Sequence, residues 1–198
     1  MKRLNQSKYK IYSNLYNKIA SPYKEVIAEL IMTNNLQSSM INIYYHQHKN
    51  KKIKSSIIDY VKQVIPECIL NATCYRATPV NYKCINIDDL YGSVKKDSTY
   101  SESTQSWSTN KEFVDNVENQ VSFSFSTDDI IFKLETQAEG IYIPKFWEVL
   151  KNAYPDIFEN GFSYYDYYNY ECELLVPRQT EFKIYNEAEI KNKYYEKM

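Results

Sequence analysis

The sequence predicts an α+β fold in which a helical N-terminal part precedes a body of short strands. Up to about residue 66 the apolar side chains recur every three to four residues, as they do on one face of a helix. From about residue 72 they fall in short runs separated by polar turns, which is typical of strands. The 198 residues, 43% of them apolar, suffice for a buried core. We expect a helical part over residues 1–70 and a compact core over residues 71–198.

The helical part contains several amphipathic stretches. Tyrosines and Ile19 repeat at helical spacing over residues 9–19, and Ser21 followed by Pro22 is typical of a helix start. A further stripe begins at Ile57 and is stopped by Pro66. These stripes predict faces that pack against the rest of the chain.

Six short runs in the core predict strands, and one segment between them predicts a short helix. The strands are expected over residues 73–78, 103–108, 130–135, 140–143, 171–176 and 181–185. The helix is expected over residues 110–117.

Composition excludes several classes of function. The 24 basic and 25 acidic residues nearly cancel, so there is no overall field for nucleic acid or an anionic membrane. The three glycines do not fit the spacing of a glycine-rich phosphate loop. Four cysteines without a CxxC pair, and two histidines outside any zinc motif, predict no metal site. The lysine cluster at residues 49–54 predicts a solvated loop, with a contact to nucleic acid or to an acidic partner as the alternative.

The first residues are charged and polar, and no apolar run is long enough for a membrane span. We therefore expect a cytoplasmic protein, in the host cytoplasm if the protein is viral, without a signal peptide and without a membrane partner. Secretion by a signal-independent route is the alternative.

Two glutamates give the strongest chemical signal. Alternate residues of a strand share a face, so Glu171 and Glu173 are expected to point the same way, about 6–7 Å apart. Two carboxylates so placed repel unless a cation or a proton lies between them. The alternative is a solvated acidic edge strand, which is the more common arrangement.

Arg76 is the second signal, because only three of the 24 basic residues are arginine. An arginine on a short apolar run generally has a carboxylate or phosphate partner. A structural ion pair is the plainer alternative. The third signal is the pair Ser106 and Ser108, which flank Trp107 on a predicted strand.

In this order along the chain, the three signals resemble the arginine–serine–glutamate class of mono-ADP-ribosyltransferases. Residues 171–184 resemble that family's last strand, turn and strand, and residues 130–143 resemble the segment before its glutamate motif. The resemblance covers residues 70–186 and implies a core of two packed β-sheets. The length and the helical front also resemble the small ADP-ribosyltransferases of T-even bacteriophages.

The resemblance implies NAD as co-substrate, no metal, and a role for each signal. Glu173 would stabilise the positive charge on the ribose as nicotinamide leaves, and Arg76 would hold the NAD phosphates. Ser106, supported by Ser108, would order the catalytic glutamate. Glu171 would orient the guanidinium of an acceptor arginine. Ala77, beside the NAD, stands where relatives commonly have glycine.

The implied partners are target proteins that carry an acceptor arginine, namely host transcription or translation proteins if the chain is phage-like. Aromatic residues fall where the family has its target-recognition loop: Phe162, Tyr164, Tyr165, Tyr167 and Tyr168. Phe113 and Phe125 are candidates for stacking on nicotinamide. Three alternatives stay open, namely NAD hydrolysis, transfer to an acceptor such as RNA, and a catalytically silent binding module.

Overall fold

The computed structural model describes residues 18–20, 23–24, 57–81, 86–97, 105–119, 125–126, 128–155, 171–179 and 181–197. The helices are α1 (Ile57–Val64), α2 (Ile87–Asp97), α3 (Lys111–Asp115), α4 (Ile143–Ala153) and α5 (Glu187–Lys197). The strands are β1 (Ile69–Asn81), β2 (Gln105–Ser108), β3 (Asp129–Tyr142), β4 (Glu173–Val176) and β5 (Lys183–Ile184). Short 3-10 turns lie at Pro66–Cys68 and Val117–Asn119.

The strands form an antiparallel sheet that closes on itself. Strands β1 and β3 pair along their whole length, from Ile69 opposite Ile141 to Asn81 opposite Asp129. Strand β2 pairs with β1 and β4, and β4 pairs in turn with β3, so four strands make a small barrel. Strand β5 adds to the outer edge of β3. The expected α+β class, with helices and an antiparallel sheet, is confirmed.

The sheet differs from the expected pair of packed sheets, because the described strands belong to one five-stranded sheet. The reason lies in β3. Residues 130–135 and 140–143 were expected as separate strands, but residues 130–142 belong to the single strand Asp129–Tyr142, and Ile143 begins helix α4. Gly140 is not a turn residue there. A Cβ at this position would lie 2.3 Å from the carbonyl oxygen of Leu175, so glycine lets β4 approach β3 and close the barrel.

The main core lies between one face of the sheet and helices α2 and α5. The sheet contributes Cys74, Trp107 and Phe132, all of them buried. Leu90 of α2 and Ile190 of α5 cover them. The resulting apolar cluster fixes both helices on the same side of the sheet.

Helix α1 follows the predicted stripe, since Ile57, Ile58 and Val61 are buried and Pro66 follows the helix end. Most expectations for residues 1–56 lie outside the described residues, and the division at residue 70 stays a prediction. Within the described part, the Tyr23 ring contacts Phe146 of α4. No described helix has the length and apolar character needed to cross a membrane.

Candidate active site

The arginine, serine and glutamate signals lie on three neighbouring strands. Strand β2 stands between β1 and β4, with Tyr75 opposite Ser108 and Ser108 opposite Glu173. Directly opposed residues of an antiparallel pair project from the same face. The sheet therefore places Tyr75, Ser108 and Glu173 in one row across three strands.

Glu173 is the first residue of β4 and its side chain is fully buried. Glu171 is partly buried close to it. Withdrawal from water, together with the charge of Glu173, raises the pKa of Glu171 to about 8. At neutral pH the carboxyl group of Glu171 is therefore mostly protonated.

The two glutamates come together by a different route from the one that the sequence predicts. Strand β4 begins only at Glu173, so Glu171 lies outside it and the strand pleat does not align the pair. Cys172 between them has a φ of 50°, in the left-handed region. The chain thus bends at Cys172, and the expectation of a continuous strand over residues 171–176 was wrong.

Ser108 and Thr109 hold the backbone of this bend. The Ser108 hydroxyl donates a hydrogen bond of 2.5 Å to the carbonyl oxygen of Glu171 and accepts one of 2.9 Å from the Asn110 amide. The Thr109 amide and hydroxyl both donate to the carbonyl oxygen of Cys172, at 3.0 and 3.1 Å. The end of β2 therefore fixes the segment that carries both carboxyl groups.

Ser106 does not stand directly opposite Glu173. It pairs with Leu175, two residues beyond Glu173, and Ser108 occupies the position opposite the glutamate. The serine that stands beside Glu173 in this geometry is therefore Ser108. Sequence reasoning named both serines but could not fix the register between β2 and β4.

Arg76 lies on the opposite face of β1 from this row. It follows Tyr75 in the strand and stands opposite Leu134, a core residue. Its side chain lines a cavity of about 50 Å³ together with Gln105, Trp107 and Gln179. The structure therefore does not bring Arg76 together with the glutamate pair. Ala77, on the same face as Tyr75, stands opposite Lys133.

The remaining candidates add little to the site. Phe113 is buried, at 4% exposure. The five aromatic residues of the expected recognition loop lie outside the described residues. Within the described ranges, His, Cys, Asp and Glu residues form no group that could hold a metal ion.

Two residues that sequence reasoning gave no role belong to the bend. Thr109 directly follows Ser108, and this second hydroxyl side chain was the sequence feature that could have indicated a role at the site. Tyr142, the last residue of β3, shares side-chain hydrogen bonds with Cys172 and Thr109. Burial, followed by the contact with Cys172, raises the pKa of Tyr142, so its hydroxyl stays protonated.

No protein-family model, no curated protein and no solved structure matches this chain. The function is therefore argued from the geometry of the carboxyl pair.

Proposed function

We propose that the chain is an NAD-dependent mono-ADP-ribosyltransferase that moves ADP-ribose to arginine side chains of target proteins. The observation that carries the proposal is the pair of Glu171 and Glu173, two interacting carboxyl groups, one fully buried, with Ser108 beside them. The sequence resemblance to the arginine–serine–glutamate class supports the choice of reaction.

Glu173 acts on the sugar. As the bond between nicotinamide and the ribose breaks, positive charge develops at the anomeric carbon, and nicotinamide leaves with the bonding electrons. A carboxylate held in a buried position stabilises that charge more strongly than water does. Because the pKa of Glu171 is raised to about 8, that side chain is mostly protonated at neutral pH, and the proposal gives the ionised role to Glu173.

Glu171 acts on the acceptor. A guanidinium is protonated at ordinary pH, so its nitrogen attacks the anomeric carbon only as it gives up a proton. Glu171 accepts that proton in its ionised form, and its pKa of about 8 is close to the operating pH, as general acid–base catalysis favours. Two neighbouring carboxyl groups with separated pKa values thus take separate roles.

The proposal assigns Arg76 no contact with the NAD that Glu173 serves, because the two side chains lie on opposite faces of the sheet. This departs from the role that the family resemblance implies for Arg76. In the proposal, Ser108, which stands opposite Glu173, takes the positioning role that the resemblance gives to Ser106.

The proposal is tested by incubating the purified chain with labelled NAD and a bacterial lysate. We expect discrete labelled protein bands that hydroxylamine releases, as it releases arginine linkages. The Glu173→Gln chain should give none, whereas Glu148→Gln should label as the unmodified chain does, since Glu148 is exposed in a surface ion pair on α4. Free nicotinamide without labelled protein would indicate that the chain hydrolyses NAD and does not transfer ADP-ribose to protein. If neither labelled protein nor free nicotinamide forms, the proposal of an enzyme is refuted.

A further inference from the structure

The bend between the two glutamates is held in an unfavourable backbone conformation. Apart from glycine, Cys172 is the only described residue with a positive φ, at 50°. A side chain at Cβ disfavours this region, so such a conformation persists only where the surroundings hold it. Since Cys172 connects Glu171 to Glu173, its conformation sets where one carboxyl group lies relative to the other.

The holding contacts come from the two residues that end β2. Ser108 donates to the carbonyl oxygen of Glu171, and Thr109 donates twice to that of Cys172, through its amide and its hydroxyl. Two consecutive carbonyl groups are therefore held by two consecutive residues. From the end of β3, Tyr142 shares side-chain hydrogen bonds with Thr109 and Cys172.

We propose that Thr109 is a positioning residue for the carboxyl pair: its hydroxyl holds the Cys172 carbonyl, which keeps the bend left-handed and Glu171 beside Glu173. Thr109 is not one of the two serines that were given a role above, and its importance for catalysis rests on the proposed function. Without the hydroxyl, Cys172 relaxes toward negative φ. Glu171 then gains access to water and moves away from Glu173.

The test follows the carboxyl groups by NMR titration of the purified chain without NAD. The high-titrating step of the unmodified chain is assigned to Glu171 by its loss in Glu171→Gln. Thr109→Val keeps the side-chain shape and the amide donor but removes the hydroxyl. It should lower the pKa of Glu171 from about 8 toward 4.5. Thr109→Ser restores the hydroxyl and should keep the pKa near its original value. An unchanged pKa in Thr109→Val overturns the proposal.

A second measurement needs no variant and covers the case in which Thr109→Val does not fold. The Thr109 amide donates to the Cys172 carbonyl, so its hydrogen exchange in the unmodified chain should be slow. Exchange at the rate of an exposed amide would overturn the proposal as well.

Activity separates this proposal from the proposed function. If both hold, Thr109→Val lowers kcat about tenfold to a hundredfold with little change in the KM for NAD, and Thr109→Ser recovers it. If Thr109→Val lowers the pKa of Glu171 but the unmodified chain has no activity on NAD, the role of Thr109 is supported and the proposed enzyme function is refuted. Activity together with an unchanged pKa in Thr109→Val supports the enzyme and refutes the role of Thr109.

Discussion

Glu171 differs from an ordinary surface glutamate because it is withdrawn from water beside another carboxyl group. Its pKa of about 8 means that the side chain is mostly protonated at neutral pH. Cys74, on the core face of β1, shows the effect of burial alone, which raises the pKa of its thiol to about 12. Glu171, in contrast, is both buried and coupled to a second carboxyl group, and this coupling makes it a candidate for proton transfer.

This coupling predicts a pH profile for transfer. Because in the proposed reaction only ionised Glu171 accepts the guanidinium proton, kcat should rise about tenfold per pH unit below the pKa and level off above about 8. The measurement is the initial rate of transfer to a small guanidine compound between pH 5.5 and 9.5. Glu171→Gln should lose transfer throughout this range. A flat profile for the unmodified chain would contradict the role of Glu171 as base.

At the scale of elements, Gly140 determines how closely β3 and β4 approach. A Cβ there would lie 2.3 Å from the Leu175 carbonyl oxygen and 2.7 Å from Cγ1 of Val176. We expect Gly140→Ala to lower the free energy of unfolding by about 1–3 kcal/mol, the usual cost of overpacking. Since Glu173 lies on β4 together with Leu175 and Val176, a displacement of β4 should lower transfer as well.

Gly92 in α2 provides the matched control, because no atom lies within 4 Å of a Cβ added there. Gly92→Ala should raise the free energy of unfolding by up to about 1 kcal/mol, since alanine is the better helix former. Urea denaturation measures both variants. Equal effects of the two substitutions would show that Gly140 does not limit the approach of β4.

Helix α5 depends on Asn186, the residue before its first turn. The Asn186 side chain accepts a hydrogen bond from the Lys133 amide and donates one to the Ile131 carbonyl oxygen, each at 2.9 Å. Asn186→Ala leaves both groups of β3 without this partner, which should cost about 1–3 kcal/mol of unfolding free energy. Asn152→Ala, at an exposed position of α4, is the control and should change stability little. Comparable losses in both variants would contradict this account of α5.

At the scale of the whole molecule, the pKa of Glu171 makes stability depend on pH. Between about pH 4.5 and 8 the native chain binds a proton at Glu171 that the unfolded chain releases. The free energy of unfolding should therefore fall as pH rises through this window, by at most about 1.4 kcal/mol per pH unit. Chemical denaturation at several pH values measures the slope, and Glu171→Gln should flatten it. A slope that survives the substitution would place the responsible group elsewhere.

Local patterns predicted most elements of the molecule but not how the strands pair. The runs around Arg76, Ser108 and Glu173 were each recognised as strands, because alternation and turn residues are local properties. The register that places Ser108 rather than Ser106 opposite Glu173, and Arg76 on the other face, depends on contacts between distant segments. A shift of one residue in register exchanges the two faces of a strand.

The site shows the same division between local and distant information. The pairing of Glu171 with Glu173 was predicted from a regular pleat, yet the structure brings them together through a left-handed bend at Cys172. The hydrogen bonds from Thr109 that hold the bend join residues 63 positions apart, so no local pattern indicates them. Helix α4 was also not predicted, although Pro144 in its first turn and buried Trp147 were available signals.

The proposed function requires that the carboxyl pair at the start of β4 cleaves NAD. The most direct test is nicotinamide release from NAD in the presence of a small guanidine acceptor, comparing the unmodified chain with Glu173→Gln and Glu148→Gln. We predict that Glu173→Gln lowers the rate by about 10²–10³-fold or more, with its circular dichroism unchanged, while Glu148→Gln keeps full activity. Release by Glu173→Gln at the rate of the unmodified chain would contradict the claim.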